Sequence, residues 1–155
     1  MIVATMLGQL SEDEIEDVLE REFLGRIGCH ADDRTYVVPV TYVYENGAVY
    51  GQSAEGLKLR MMRANPHVCF EVDRMDDLAS WRSVIAWGRF EELRGAHADH
   101  GLALLMARLL PVVVTNETSH PAKSLTHQYR AKEEGLAAVV YRIVLTEKTG
   151  RFERR

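Results

Sequence analysis

The segment Gln52-Ser53-Ala54-Glu55-Gly56-Leu57-Lys58 sets a hydroxyl, a glycine and a lysine where a strand gives way to a helix. The first amides of a helix point outward unpaired, and the helix dipole favours negative charge there. Ser53 offers a further donor, and Lys58 and Arg60 add positive charge. These are the parts of a phosphate cradle, although many helices that bind nothing open in the same way. A second candidate is Trp81-Arg82-Ser83-Val84. An indole, a guanidinium and a hydroxyl at the start of a buried strand could stack on a flat polar ring and hydrogen-bond to its edge. The plainer reading is a core tryptophan beside an edge arginine.

The other reactive residues form weaker patterns. His97 and His100 share one face of an expected helix, but no third ligand accompanies them, so solvated helix residues are expected and no metal site is assigned. His120 and His127 fall in an irregular stretch from which they could approach a site. His30 follows Cys29, but neighbours on a strand point to opposite faces, which works against a nucleophile–base pair. Cys69, between Val68 and Phe70, reads as a small buried hydrophobe, and Leu57, Leu59, Met61 and Met62 read as core packing. No catalytic acid, base or nucleophile stands out.

These residues need elements to position them. Ser11 and Glu14 form a capping box ahead of Ile15, Val18 and Leu19, which predicts a helix over 11–22 whose many acids make a solvated outer face. Strands are expected over Phe23 to His30, Thr35 to Tyr44 and Ala48 to Gln52, the last two joined by an Asn46-Gly47 hairpin turn. Pro39 cannot donate a ladder hydrogen bond, so it marks an edge, a bulge or a break. A short helix over Glu55 to Ala64 ends at Asn65-Pro66, and strands follow over His67 to Asp73 and Trp81 to Leu93, with a loop over Met75 to Ser80. Gly88 inside the long strand suggests a bend or a close backbone contact. A helix over Ala96 to Leu109 is ended by Pro111, and residues 112–127 are irregular. A brief helix near Tyr129 to Glu134 precedes a last strand, Ala137 to Thr146, and a basic tail, loose unless docked. About six strands in hairpin-like order predict a mainly β fold, a small antiparallel barrel with flanking helices, and argue against a doubly wound fold.

Length and composition narrow the classes of function. At 155 residues, the chain is expected to be one domain, with its barrel over about 23–147. A net charge of −4 argues against bulk nucleic-acid binding, which needs basic charge. Residues 11–22 hold seven acids and one base, so the acidity is local and the barrel is slightly basic. Two cysteines without CxxC spacing argue against a secreted disulfide scaffold, and no apolar run is long enough for a membrane helix. A cytoplasmic protein without a membrane or signal segment is expected.

Taken in order, GRIGCH, TYVVPVTYVY, VYGQSAEGLKLRMMRANPHVCFEVD, WRSVIAWGRFEEL and LTEKTGRFE resemble the pyridoxamine 5′-phosphate oxidase-like flavoproteins, and within them the branch related to nitroimidazole resistance. The resemblance runs from about Ser11 to Glu153 and is weakest across Val112 to His127. It implies a split β-barrel homodimer with FMN at the subunit interface. It implies that Lys58 grips the FMN phosphate with Gln52 and Ser53 beside it, and that Pro39, Val40 and Thr41 line the isoalloxazine ring. It further implies that Arg82 and Ser83 contact the flavin, with Arg82 tuning it, while Trp81 and Val84 shape the pocket.

The implied activity is that of an FMN-dependent oxidoreductase acting on a small substrate such as a nitroaromatic. Relatives of the nitroimidazole branch often carry a histidine where Gln52 stands, and true pyridoxamine-phosphate oxidases carry an arginine where Leu57 stands. Vitamin B6 oxidation is therefore not expected. A flavin carrier or redox sensor without turnover, a deazaflavin protein, and haem binding through His120 or His127 remain as alternatives.

Overall fold

The structure, a computed structural model, describes residues 4–115 and 138–155. In chain order its elements are β1 (Met6–Gln9), α1 (Glu12–Arg21), β2 (Leu24–Ala31), β3 (Arg34–Thr41), β4 (Val43–Glu45), β5 (Ala48–Ser53), α2 (Leu57–Ala64), β6 (His67–Asp77), β7 (Ser80–Glu92), α3 (Gly95–Thr115) and β8 (Val139–Arg154). The strands form one antiparallel sheet in the order β3-β2-β6-β7-β8-β5-β4, with β1 added to β8. The fold is the expected mainly β split barrel, with eight strands where the sequence suggests about six.

The two extra strands, β1 and β4, arise from contacts with distant parts of the chain. The expected single strand Thr35 to Tyr44 breaks at Tyr42, which turns wholly inside. Its hydroxyl donates to the Leu19 carbonyl at 2.8 Å, its amide donates to the Phe23 carbonyl, and its ring meets Phe70 edge-on. β3 and β4 are thus the two ends of the sheet path, joined through this buried tyrosine. At the other extreme, residues 148–155 are not a loose tail. β8 continues to Arg154, where β1 pairs with it on one side and β7 on the other. The segment LTEKTGRFER is poor in β-branched residues, and its strand character comes from those two neighbours.

Other boundaries move for similar reasons. β6 and β7 pair almost to their tips, leaving only Leu78 and Ala79 where a longer loop is expected. α3 passes through Pro111 instead of ending before it, with Leu105 and Leu109 buried against Phe23 and Val43. The rest of the stretch 112–127, with His120 and His127, and the helix expected near Tyr129 to Glu134 lie outside the described residues. The Asn46-Gly47 turn forms as expected, with both residues at positive φ. At Gly88 the register between β7 and β8 shifts, and a Cβ there would overlap the Val144 carbonyl.

The barrel interior holds Ile27, Phe70, Val72, Val84, Tyr141 and Ile143, closed at one end by Leu59, Met61 and Met62 of α2. A second cluster lies between α3 and the other face of β5 and β8, around Tyr50, Val140 and Leu102. The capping box of α1 is present in both directions. The acids of α1 are not all solvated, however. Glu16 receives a hydrogen bond from Lys148 of β8, which also reaches the Tyr44 hydroxyl, so this charge pair seats α1 on the barrel. Among the described residues, no helix is long and apolar enough to cross a membrane.

Candidate functional site

β5 ends at Ser53 and α2 begins at Leu57, with Gly56 as an extended N-cap that offers no side-chain acceptor. No acid stands in the first turn of α2, so its leading amides meet no carboxylate from their own helix. Lys58 is partly buried on that first turn and has no hydrogen bond or ion pair among the described residues. Burial without a partner penalises the ammonium and holds the Lys58 pKa below the usual lysine value. Leu59, Met61 and Met62 anchor the helix in the core. Ser53 is buried, and its hydroxyl donates to the Ala54 carbonyl at 2.7 Å. Its oxygen therefore keeps acceptor capacity while its proton is engaged.

Gln52 and Ser53 are adjacent but face opposite ways. Ser53 shares a side of β5 with Val49 and its partner Val139, both in the barrel core, whereas Gln52 shares the other side with Tyr50 and Val140 under α3. Among the described residues, neither polar atom of the buried Gln52 amide has a hydrogen-bond partner, and nor does the Tyr141 hydroxyl. An unmade hydrogen bond of this kind costs roughly 1–3 kcal/mol per group, so Gln52 has unused capacity for a polar ligand or water.

The remaining expected site residues also divide by strand face. Pro39 and Thr41 lie on the outer face of β3, and Val40 points into the core. On β7, Trp81 and Ser83 belong to the outer face with Ile85 and Trp87, while Arg82 and Val84 belong to the other. Val84 is fully buried in the barrel. The Trp81 indole N–H donates to Glu153 at 3.1 Å, and Arg82 lies 3.9 Å from Asp17 of α1. Trp81 and Arg82 flank a cleft of about 420 Å³ whose walls include Arg21, Arg74 and Arg154 as well as Asp17, Asp76 and Glu153. Ser83 lines a separate cleft of about 610 Å³ with Gln9, Lys148 and Arg151. Neither cleft includes Lys58, Ser53, Pro39 or Thr41. One chain therefore presents these residues in separate groups.

The outer sheet face is unusually apolar for an open surface. Leu24, Val37, Ile85 and Trp87 all stand on it at 41–64% exposure. Arg26, opposite Pro39, reaches Glu71 at 3.4 Å and Asp73 at 3.7 Å across the same face. Burial, and then the neighbouring Asp73 charge, raise the Glu71 pKa from its ordinary value, against the pull of Arg26. Cys69, expected in the core, is paired with Trp87 on this outer face, while Cys29 is inside and both thiols are free. His30 is exposed beside Thr35, so Cys29 and His30 do diverge. His100 is not simply solvated: it lies 3.2 Å from Glu45 and edge-on to Tyr50.

Sequence reasoning missed the cluster of Arg63, in the last turn of α2, with Glu55 before its N-cap and Glu92 at the end of β7. The Arg63 guanidinium meets both carboxylates at 2.7–2.9 Å. No local spacing signals the Glu55–Arg63 pair, since Glu55 stands ahead of α2 and eight residues before Arg63. Glu92 is brought in by the pairing of distant strands.

The geometry is shared with known proteins. A solved FAD-binding protein from Mesorhizobium loti superposes with a TM-score of 0.70 at 30% identity, covering 95% of this chain and 98% of its own. A candidate 5-nitroimidazole antibiotic resistance protein from Bacteroides thetaiotaomicron shares the fold, with a TM-score of 0.68 at 18% identity over 97% and 92% of the two chains. An uncharacterized protein from Rhizobium meliloti is 33% identical over 91 residues, a stretch that spans 59% of this chain and only 60% of that relative's length. The sequence model of one family matches residues 11–152, from the cap of α1 through the end of the barrel at β8. With the split barrel and the strand-to-helix junction at Lys58 both inside that match, the chain belongs to the pyridoxamine 5′-phosphate oxidase family.

Proposed function

We propose that this protein binds FMN between two copies of the chain and works as a flavin-dependent oxidoreductase on a small substrate. The observation that carries the reading is Lys58. It is a partly buried ammonium without a partner among the described residues, beside uncapped helix amides with no acid in their first turn. That arrangement suits a phosphate monoester, whose dianion would relieve the cost of burying the charge. The family and the FAD-binding relative from Mesorhizobium loti add support for a flavin.

The division of the site residues favours two copies. Pro39, Thr41, Trp81 and Ser83 lie on the outer sheet face, among the exposed Leu24, Val37, Ile85 and Trp87. A second copy on that face would bury the patch and add residues to each site. In the bound state Lys58 and the α2 amides would hold the phosphate, while Pro39, Thr41, Trp81 and Ser83 would orient the ring and exclude water. The flavin supplies the electron-transfer chemistry, and the protein supplies orientation and local electrostatics. Arg82, on the α1 side of β7, would act on the ring only through the field of its charge.

The test of turnover is stopped-flow mixing of the flavin-loaded protein with NADH and with NADPH. Rapid bleaching of the flavin band supports the oxidoreductase. A loaded protein that neither donor reduces, and whose reduced form transfers nothing to a nitroaromatic, would be a flavin carrier or sensor.

A further inference from the structure

The C-terminal end of α2 is pinned to β2 and β7. Asn65 donates to the His30 carbonyl at 2.9 Å and accepts from the His67 amide, and the Phe90 amide donates to the Pro66 carbonyl. The N-terminal end has no capping side chain. What holds the turn ahead of it is a double fork. Arg63 donates through Nη1 and Nη2 to the two oxygens of Glu55, at 2.8 and 2.7 Å. It also donates through Nε and Nη2 to the two oxygens of Glu92, each at 2.9 Å. Glu55 precedes the Gly56 cap, and Glu92 is the last residue of β7. One guanidinium thus ties the turn that leads into Lys58 to the end of the longest barrel hairpin.

We propose that Arg63 is a positioning residue that holds the α2 amides and Lys58 in the arrangement a phosphate monoester needs. The inference rests on the reading of Lys58 as the phosphate ligand. Two physical arguments lead to it. A cradle of amides binds well only if its donors are fixed before the anion arrives, because ordering them on binding weakens affinity. Apart from the Ser53 hydroxyl on its neighbour's carbonyl, the Glu55 fork is the only side-chain tie among the described residues of the 53–57 turn. In addition, the fork engages the Glu55 carboxylate, which stands one residue before the cap and would otherwise be free to swing over the same amides. A lysine at position 63 could not do the same, since its ammonium lacks the planar fork that engages both oxygens of each carboxylate.

The test measures FMN and riboflavin affinity side by side, because riboflavin lacks only the phosphate. Wild type is compared with Lys58→Met, Arg63→Gln and Glu55→Gln. Arg63→Gln and Glu55→Gln are each expected to reduce the preference for FMN over riboflavin roughly fivefold to tenfold, the scale of reordering one or two side chains. Riboflavin affinity should stay within about twofold, which a general loss of structure would not allow. If Lys58→Met abolishes the preference while both clamp variants keep it, the inference is overturned and the phosphate reading stands. If Lys58→Met leaves the preference intact, the phosphate reading fails and the inference falls with it. Should Arg63→Gln not fold, Glu55→Gln decides the matter, since Glu55 is 57% exposed and its loss leaves the Arg63–Glu92 pair in place.

Discussion

Trp81 and Arg82 are consecutive in the chain but engage opposite sides of β7: the indole donates to Glu153, and the guanidinium turns toward Asp17 of α1. A strand makes this unavoidable, because successive side chains alternate between faces. It points apart two side chains that a linear motif joins, although both line the rim of one cleft. The Arg82–Asp17 contact is long, at 3.9 Å, and both partners are over 40% exposed, so its stabilisation is expected to be below about 0.5 kcal/mol. Arg82→Ala should therefore leave the urea midpoint nearly unchanged and shift the bound-flavin spectrum only slightly, through the loss of its charge. Trp81→Phe should change flavin fluorescence. A large spectral shift in Arg82→Ala with none in Trp81→Phe would show that the faces have been assigned the wrong way round.

The state of Lys58 sets a pH dependence. The ammonium is the form that attracts phosphate, and it is populated below its pKa. Burial lowers that pKa, so affinity for FMN should decline with rising pH earlier than an ordinary lysine would dictate. Lys58→Arg, which stays charged throughout, should flatten the upper limb of the profile. Calorimetric titrations from neutral to alkaline pH would check both. A decline that persists in Lys58→Arg would assign it to another group.

The outer sheet face is expected to be the subunit contact. Trp87→Glu places a charge among Leu24, Val37 and Ile85, where burial against a second copy would be costly, by roughly 2 kcal/mol or more. Sedimentation should then show a shift toward monomer of about thirtyfold or more in dissociation constant. A dimer unaffected by this change would require a different contact surface.

Tyr42 closes the seam between β3 and β4. Tyr42→Phe keeps the ring on Phe70 but leaves the buried Leu19 carbonyl without its partner. A loss of roughly 1–2 kcal/mol is expected in urea unfolding, without a change in flavin affinity. Burial drives the Tyr42 pKa far upward, so the phenol stays a donor at every working pH.

Much of the fold was legible, because its signals are local. The Ser11–Glu14 capping box, the Asn46-Gly47 turn and the alternation of His67 to Asp73 each specify their own geometry. What was not legible depends on partners far away in the chain. Residues 148–154 become a strand only because β1 and β7 lie on either side of them, and Tyr42 breaks a strand because Leu19 and Phe23 receive its polar groups. The site divides in the same way. Ser53, Gly56 and Lys58 stand out as a junction in sequence, but the fork on Arg63 needs Glu92 from β7. Alternation along β5 and β7 then sends Gln52 and Arg82 away from their neighbours.

The most direct measurement is a titration of the purified, flavin-stripped protein with FMN and with riboflavin, followed by flavin absorbance and fluorescence. Mass spectrometry of the molecule released from protein purified as it comes from cells completes it. The expected result is one FMN per chain, bound roughly tenfold or more tightly than riboflavin through its phosphate at Lys58. A colourless protein that takes up no FMN, or one that binds FMN and riboflavin equally, would contradict the account.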